Sequence, residues 1–271
     1  MLNKNLPLSD KLVLITGASQ GIGAETAKAS ASEGAHVILI ARTHSLLDAV
    51  AANITSKGGK ATVFAVDLAN ATESNEVMLR ILNELGTPDV VIHNAGSGSW
   101  YYTEDTSNEQ LEQFMAIPFM AAFRITHDLL PTMLKRNSGQ IIFIHSPASL
   151  MPWGGASAYV SARYALRGFN KALSIDLRHT NICVTSVMPG LVDSNYFSNN
   201  PHTFERLPTI TRLYPHLTTQ HVAKAIIAAI KRRRRTVILP FLLKLTVFLH
   251  KVMPDLVEWL VKVTSHKRII K

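Results

Sequence analysis

Apolar and polar positions along this chain fall into two kinds of block that take turns. Short runs rich in branched apolar residues occupy 12–15, 36–41, 61–66, 89–93, 140–145, 181–187 and 236–239. They are too short for buried helices and read as strands. Longer stretches with helical periodicity occupy 24–31, 45–57, 73–85, 108–136, 158–178 and 219–231. Strands that are apolar almost throughout are buried on both faces. The alternation therefore predicts an α/β fold, a doubly wound, seven-stranded parallel sheet with helices on each side.

No internal repeat or low-complexity linker divides the sequence, and 271 residues that are 47% hydrophobic suffice for one sizeable core. We expect one domain over residues 1–240, with a lid at about 191–217 and an amphipathic, basic extension over 241–271. The net charge of +9 gathers at that end: from Lys224 onward twelve Lys and Arg face two acids, leaving sixteen against seventeen before it. Basicity thus describes the tail and not the body. The single Cys183 excludes an intramolecular disulfide and lies in a predicted strand interior, as a core thiol would. Residues 1–11 hold no apolar stretch long enough for a secretory leader. No segment offers about eighteen uncharged apolar residues, and the longest candidate, 236–250, is interrupted by Pro240 and Lys244. His202, His216 and His221 lack carboxylate or cysteine company at consistent spacing, so they are read as surface or lid residues and no metal site is expected.

In doubly wound sheets ligands gather beyond the carboxyl ends of the strands, where the winding reverses. After the first strand comes Thr16-Gly17-Ala18-Ser19-Gln20-Gly21-Ile22-Gly23. Its glycines turn the chain, admit a bound group close to the backbone and let the following helix pack on the sheet. A helix N-terminus with free N–H groups results, and pyrophosphate is the expected guest. Tight packing alone is the competing reading. After the later strands stand Arg42, Asp67, Asn94-Ala95-Gly96, Ser146 and Pro189-Gly190.

Taken together, the glycine-rich turn, Asn94-Ala95-Gly96, Ser146 thirteen residues before Tyr159, and Pro189-Gly190-x-Val192-x-Ser194 stand in the order and spacing of the short-chain dehydrogenase/reductases, which this chain resembles over roughly residues 10–240. The resemblance implies a Rossmann-type fold, a nicotinamide cofactor and hydride transfer to or from a carbonyl or alcohol. It implies cofactor contacts from Gly17, Ser19, Gln20, Gly21, Ile22 and Gly23, from Asp67 and Leu68 at the adenine, from Asn94, Ala95 and Gly96 at the adenosine ribose, and from Pro189, Gly190, Val192 and Ser194 at the carboxamide end, with Tyr159 and Arg163 between. An ordinary turn role competes for Asp67.

The chemistry of the residues agrees. A carbonyl gaining hydride develops negative charge on oxygen and needs a proton donor within reach. Tyr159 can donate it and Ser146 can hydrogen-bond the same oxygen; the bland reading of Tyr159 is a helix-face tyrosine covering the sheet. A phenol is a weak acid, with an ordinary pKa near 10, so a fixed cation beside it is required. Arg163, one helical turn on, carries that charge. The family's pattern has lysine there. Arginine is planar, bulkier and never deprotonated, so it keeps the charge and loses the proton-shuttling amine. A second departure is Pro118, where the family usually has an asparagine thirteen residues before the proline of its Leu-Pro-x-Met, here Pro131. Proline suits a helix kink while removing the polar side chain. A weakened or silent cofactor-binding protein therefore stands as the alternative function.

Cofactor choice turns on Arg42. NAD-selective members carry an acid after the second strand, whereas Arg42 can pair with a 2′-phosphate, so NADP(H) is expected; a solvated loop arginine competes. The stretch 191–217 is rich in Asn, Ser, Thr and Pro with scattered apolar residues, including Tyr196, and reads as a lid over substrate. The run 231–235, Lys-Arg-Arg-Arg-Arg, taken alone fits a nucleic-acid patch, a nuclear address or a solvated helix end. The largely apolar stretch after it, with Asp255, Glu258 and Lys262 striped on one side and Trp259 on the other, fits a membrane interface. A tail covering the cleft or a dimer partner is the other reading. The expected setting is cytoplasmic, with peripheral membrane contact through 231–271, a small lipophilic substrate, self-association into a homo-oligomer and no nucleic acid.

Overall fold

The computed structural model describes residues 8–96, 98–200, 203–266 and 268; His202 and the ends of the predicted extension and N-terminal segment lie outside them. In chain order the elements are β1 (Leu12–Thr16), α1 (Gly21–Ser32), β2 (His36–Ala41), α2 (His44–Thr55), β3 (Lys60–Ala65), α3 (Ala71–Glu84), β4 (Val90–His93), α4 (Asn108–Met115), α5 (Ala121–Arg136), β5 (Gly139–Ile144), α6 (Ser157–Asp176), β6 (Ile182–Pro189), β7 (Val192–Asp193), α7 (Tyr196–Asn199), β8 (Leu217–Thr218), α8 (Thr219–Lys231), β9 (Thr236–Leu239), α9 (Phe241–Val252) and α10 (Pro254–Thr264). Seven strands form one parallel sheet in the order β3-β2-β1-β4-β5-β6-β9. The order reverses between β1 and β4, and there the sheet opens a crevice at its carboxyl edge.

Strands apolar at every position bury both faces. Val13 and Ile15 of β1, Val37 and Leu39 of β2, and Ile142 and Ile144 of β5 point into the layer with α1, α2 and α8. The alternate residues Leu14, Ile38, Ile40, Ile141 and Phe143 point into the layer with α3, α5 and α6. Each face therefore holds a core that the period-two geometry of a strand divides between them.

One expectation from the sequence needs correction. The single helix predicted over 108–136 is broken: Ile117, with φ −133° and ψ 116°, stands outside helical geometry between α4 and α5, inside a wide turn at Ala116–Met120. Pro118 crowds the residue before it out of the α region, and this is the physical cause. The tail folds into two helices, separated at Met253 and restarted by Pro254 in a first-turn position that tolerates proline. Leu243, Val247, Val257 and Val261 from these helices pack with Leu150, Met151 and Met188 in a third apolar cluster. Within the lid stretch β7 and β8 pair as a small two-stranded sheet, and α7 lies between them in the chain.

The basic run belongs to the opposite edge of the sheet. Arg234 accepts a hydrogen bond from Thr185 Oγ1 through its carbonyl, and Ser186 N donates to the Arg235 carbonyl, so the run is fastened where β9 enters, at the far end from the crevice. No described helix is long and apolar enough to cross a membrane, and no described cluster of His, Cys, Asp and Glu could hold a metal ion.

Candidate active site

A chamber of about 910 Å³ occupies the crevice. Its floor is lined by Gly17, Ser19, Gln20, Gly21, Ile22, Arg42, Asp67, Leu68, Asn94, Ala95, Gly96, Ser146, Tyr159, Arg163, Pro189, Gly190, Val192 and Ser194. Every residue expected from the sequence except Gly23 is thus brought to one cavity. Gly23 lies one turn into α1, where a Cβ would collide with the Gly17 carbonyl.

At the nucleotide end, Gly17 adopts φ +65° and a Cβ there would meet the Ala95 backbone at 2.9 Å, so only glycine makes this turn. Asn94 fixes the turn from across the crevice: its Nδ2 donates to the carbonyls of Thr16 and Gly17 at 3.0 and 3.1 Å. Gln20 precedes α1 with no side-chain cap, the first turn of α1 carries no acid, and Gln20, Gly21 and Ile22 line the chamber. Such an end, positive by dipole and rich in donors, fits a pyrophosphate. Asp67 Oδ1 accepts from Ala69 N at 3.0 Å, which is the turn role that competed for it in the sequence, although the residue also faces the chamber. Arg42 is exposed at the chamber edge, where a guanidinium could meet a phosphate.

At the chemical end, Ser146 caps a short turn, its Oγ accepting from Ala148 N at 3.2 Å. Tyr159 and Arg163 share one face of α6, and the Arg163 guanidinium carbon lies 5.0 Å from the centre of the Tyr159 ring. Arg163 is buried; Nη1 donates to the Ile144 carbonyl at 3.4 Å and Nη2 packs against Gly96. Its Nε is buried without a partner among the described residues. Pro118 is buried in the turn between α4 and α5, and it is the neighbouring Ile117 that reaches the chamber wall.

Three aromatic residues at this end escaped the sequence reading as site residues. Tyr196, from α7 in the lid, donates its hydroxyl to the Gly98 carbonyl at 2.9 Å and accepts from Trp100 Nε1 at 3.2 Å. Burial, then the Tyr159 charge, pushes the Tyr196 phenol far above its ordinary range, so it stays protonated. Gly98 makes the clasp possible, because a Cβ there would overlap the Tyr196 hydroxyl. Trp100 packs 5.4 Å from the Tyr159 ring and 5.1 Å, edge-on, from Trp153. Beneath them His145 is buried; burial first, then the Arg163 and Arg167 charges, lowers its imidazole to about 3 and keeps it neutral. The glycine two residues after Asn94-Ala95-Gly96 was the available signal for a close approach, but nothing local to residues 191–217 says which side chain makes it.

The opposite wall is apolar and comes from the tail: Leu242, Leu243 and Leu249 of α9 and Val257, Leu260 and Val261 of α10.

Comparison with known proteins agrees with this geometry. A sequence model described as short chain dehydrogenase matches residues 11–204. The chain is 34% identical over 234 residues to a fatty acyl-CoA reductase of Acinetobacter baylyi, covering 84% of this chain and 75% of that protein. It is 29% identical over 237 residues to the probable oxidoreductase EphD of Mycobacterium tuberculosis, of which it spans only 40% while 83% of this chain is covered. L-Sorbose reductase of Gluconobacter frateurii, solved with NADPH and L-sorbose, superposes with a TM-score of 0.77 at 25% identity, covering 87% of this chain and 97% of that one. The chain belongs to the short-chain dehydrogenase family of oxidoreductases.

Proposed function

We propose that this protein is an NADP(H)-dependent oxidoreductase that interconverts a carbonyl and an alcohol on a small lipophilic substrate. The observation that carries the reading is the convergence of Ser146, Tyr159 and Arg163 on a chamber whose facing wall is apolar. When bound, the nicotinamide supplies or accepts the hydride. Gly17, Gly21 and the uncapped start of α1 hold the pyrophosphate, and Arg42 meets the 2′-phosphate, which an acid at that position would repel. Ser146 Oγ and Tyr159 Oη hydrogen-bond the substrate oxygen, and Tyr159 delivers or removes its proton. Arg163 stabilises the phenolate that Tyr159 leaves behind. Water is kept out by Trp100, Trp153 and the tail leucines. The names of two similar proteins, one solved with NADPH and one a fatty acyl-CoA reductase, support cofactor and substrate class respectively.

A second reading, a nucleotide-binding protein with little turnover, draws on Arg163. One of its donors is committed to the Ile144 carbonyl and the guanidinium cannot pass protons on, while Pro118 offers no polar side chain behind it. NADPH oxidation across a panel of cyclic and long-chain ketones and aldehydes separates the two. Turnover that falls about 10²–10⁴-fold in Tyr159→Phe, with NADPH still bound, supports the first. Binding without oxidation, restored by Arg163→Lys, supports the second.

A further inference from the structure

Three of the four sides of α9 are accounted for by the fold. Leu243 and Val247 enter the core cluster beneath the tail. A neighbouring side, Leu242, Leu245 and Leu249, lines the chamber. Lys244 and Lys251, seven residues apart and both exposed, mark a third. Between the lysines and the chamber runs a strip spaced i, i+4, i+7, i+11: Phe241, Leu245, Phe248 and Val252, with relative exposures of 78%, 51%, 63% and 63%. These positions fall within about 60° of arc on a helix of 3.6 residues per turn. Single exposed apolar residues are ordinary on a protein surface, but an aligned strip of them is not.

The strip does not stop at the chamber wall. Leu245 belongs to both, and Leu242 and Leu213, exposed at 38% and 70%, also line the chamber. An apolar path therefore leads from the outer surface of α9 into the cavity that holds Tyr159. On α10 the pattern recurs, with Leu256, Trp259 and Val263 exposed beside the chamber-lining Leu260.

We infer that the outer strip of α9 docks on an anionic lipid bilayer, so that the chamber mouth opens against the leaflet and substrate enters from the lipid. This rests on the lipophilic-substrate reading above. Charge chooses the occupant. α9 contains no acid, and its two exposed lysines line one side of the strip, which suits phosphate-bearing headgroups beside an apolar interior. A second copy of the chain, docked strip to strip with the two helices antiparallel, would set lysine against lysine. The run at 231–235 takes no part, since it is fastened to the other edge of the sheet.

The test uses the full chain with NADPH and two kinds of vesicle, phosphatidylcholine alone and phosphatidylcholine mixed with phosphatidylserine. The wild type is expected to sediment with the mixed vesicles and less with the neutral ones. Phe248→Glu/Val252→Glu and, separately, Lys244→Glu/Lys251→Glu should each weaken that partitioning roughly tenfold or more. None of these four side chains lines the chamber, so oxidation of NADPH by a short, water-soluble ketone should be unchanged, whereas turnover of a long-chain aldehyde presented in vesicles should fall. Equal sedimentation of wild type and both variants, or a wild-type dimer that Phe248→Glu converts to monomer without any vesicle binding, would overturn the inference. Failure of every carbonyl to oxidise NADPH would strike the proposed function instead and leave the sedimentation result standing on its own.

Discussion

Tyr196 occupies the most demanding position of any residue that the sequence did not assign to the site. One hydroxyl serves Gly98 and Trp100 together, tying the lid helix α7 to the loop after β4 and to the indole that packs on the proposed proton donor. Tyr196→Phe keeps the ring and its edge-on packing against Phe197 but removes the hydroxyl from both. We expect a loss of about 1–3 kcal/mol in urea unfolding, the usual cost of stranding buried hydrogen-bond partners. Gly98→Ala should do more, because its methyl group must displace Tyr196 bodily: faster proteolysis within residues 191–217 and a raised KM are the expected signs. Unaltered proteolysis in Gly98→Ala would mean that the clasp does not hold the lid. The residue scale is also where the sequence was most legible. Ser146, Tyr159 and Asn94 follow strand ends or sit at fixed helical spacing, and those are local facts. Tyr196 comes from a stretch whose path is decided by distant contacts, so no spacing rule could pair it with Gly98.

Two strand ends carry neutral histidines, and they set how the sheet responds to acid. His93 closes β4, fully buried, with Nε2 2.9 Å from Thr126 Oγ1; burial lowers its imidazole to about 3. His145 follows β5 and is lowered to about the same value by burial and the charges on Arg163 and Arg167. In the unfolded chain both titrate near 6.5, so below that pH the unfolded state binds more protons than the fold. Their contribution is complete above about 6.5 and is lost as pH falls toward 3, at about 1.4 kcal/mol per pH unit for each histidine. Urea midpoints measured at descending pH should therefore drop steeply below 6.5, and the slope should lessen in His93→Asn; a profile with the same slope in wild type and variant would show that His93 is not the titrating group. Strands and most helices of this layer were readable within a few residues because period-two and period-3.6 patterns are local. The interruption at Ile117 was legible only as a kink at Pro118: helical periodicity continues on both sides of it, so the pattern alone does not show that the crowding by Pro118 takes Ile117 out of helical geometry altogether.

Across the whole molecule, the tail is where sequence pattern and structure part company most. Its amphipathicity was plain, but an apolar stripe does not say what it covers. Here one side of α9 and α10 covers Leu150, Met151 and Met188 and another walls the chamber, contacts that join residues nearly a hundred positions apart. Leu243, fully buried in that cluster, should cost about 2–5 kcal/mol when changed to Ala, read as a lowered urea midpoint; a cost within experimental scatter would mean that the tail merely rests on the body. The architecture also splits labour along the chain. Every group assigned to nucleotide and proton lies before residue 195, within the segment 11–204 that the family model recognises, whereas the wall facing them is contributed by residues after 240. Reaction and choosiness are thus written in separate passages of one gene product. Grafting the last thirty or so residues from a relative onto this body should exchange the range of ketones and aldehydes accepted while the stereochemical course of hydride delivery stays as it was.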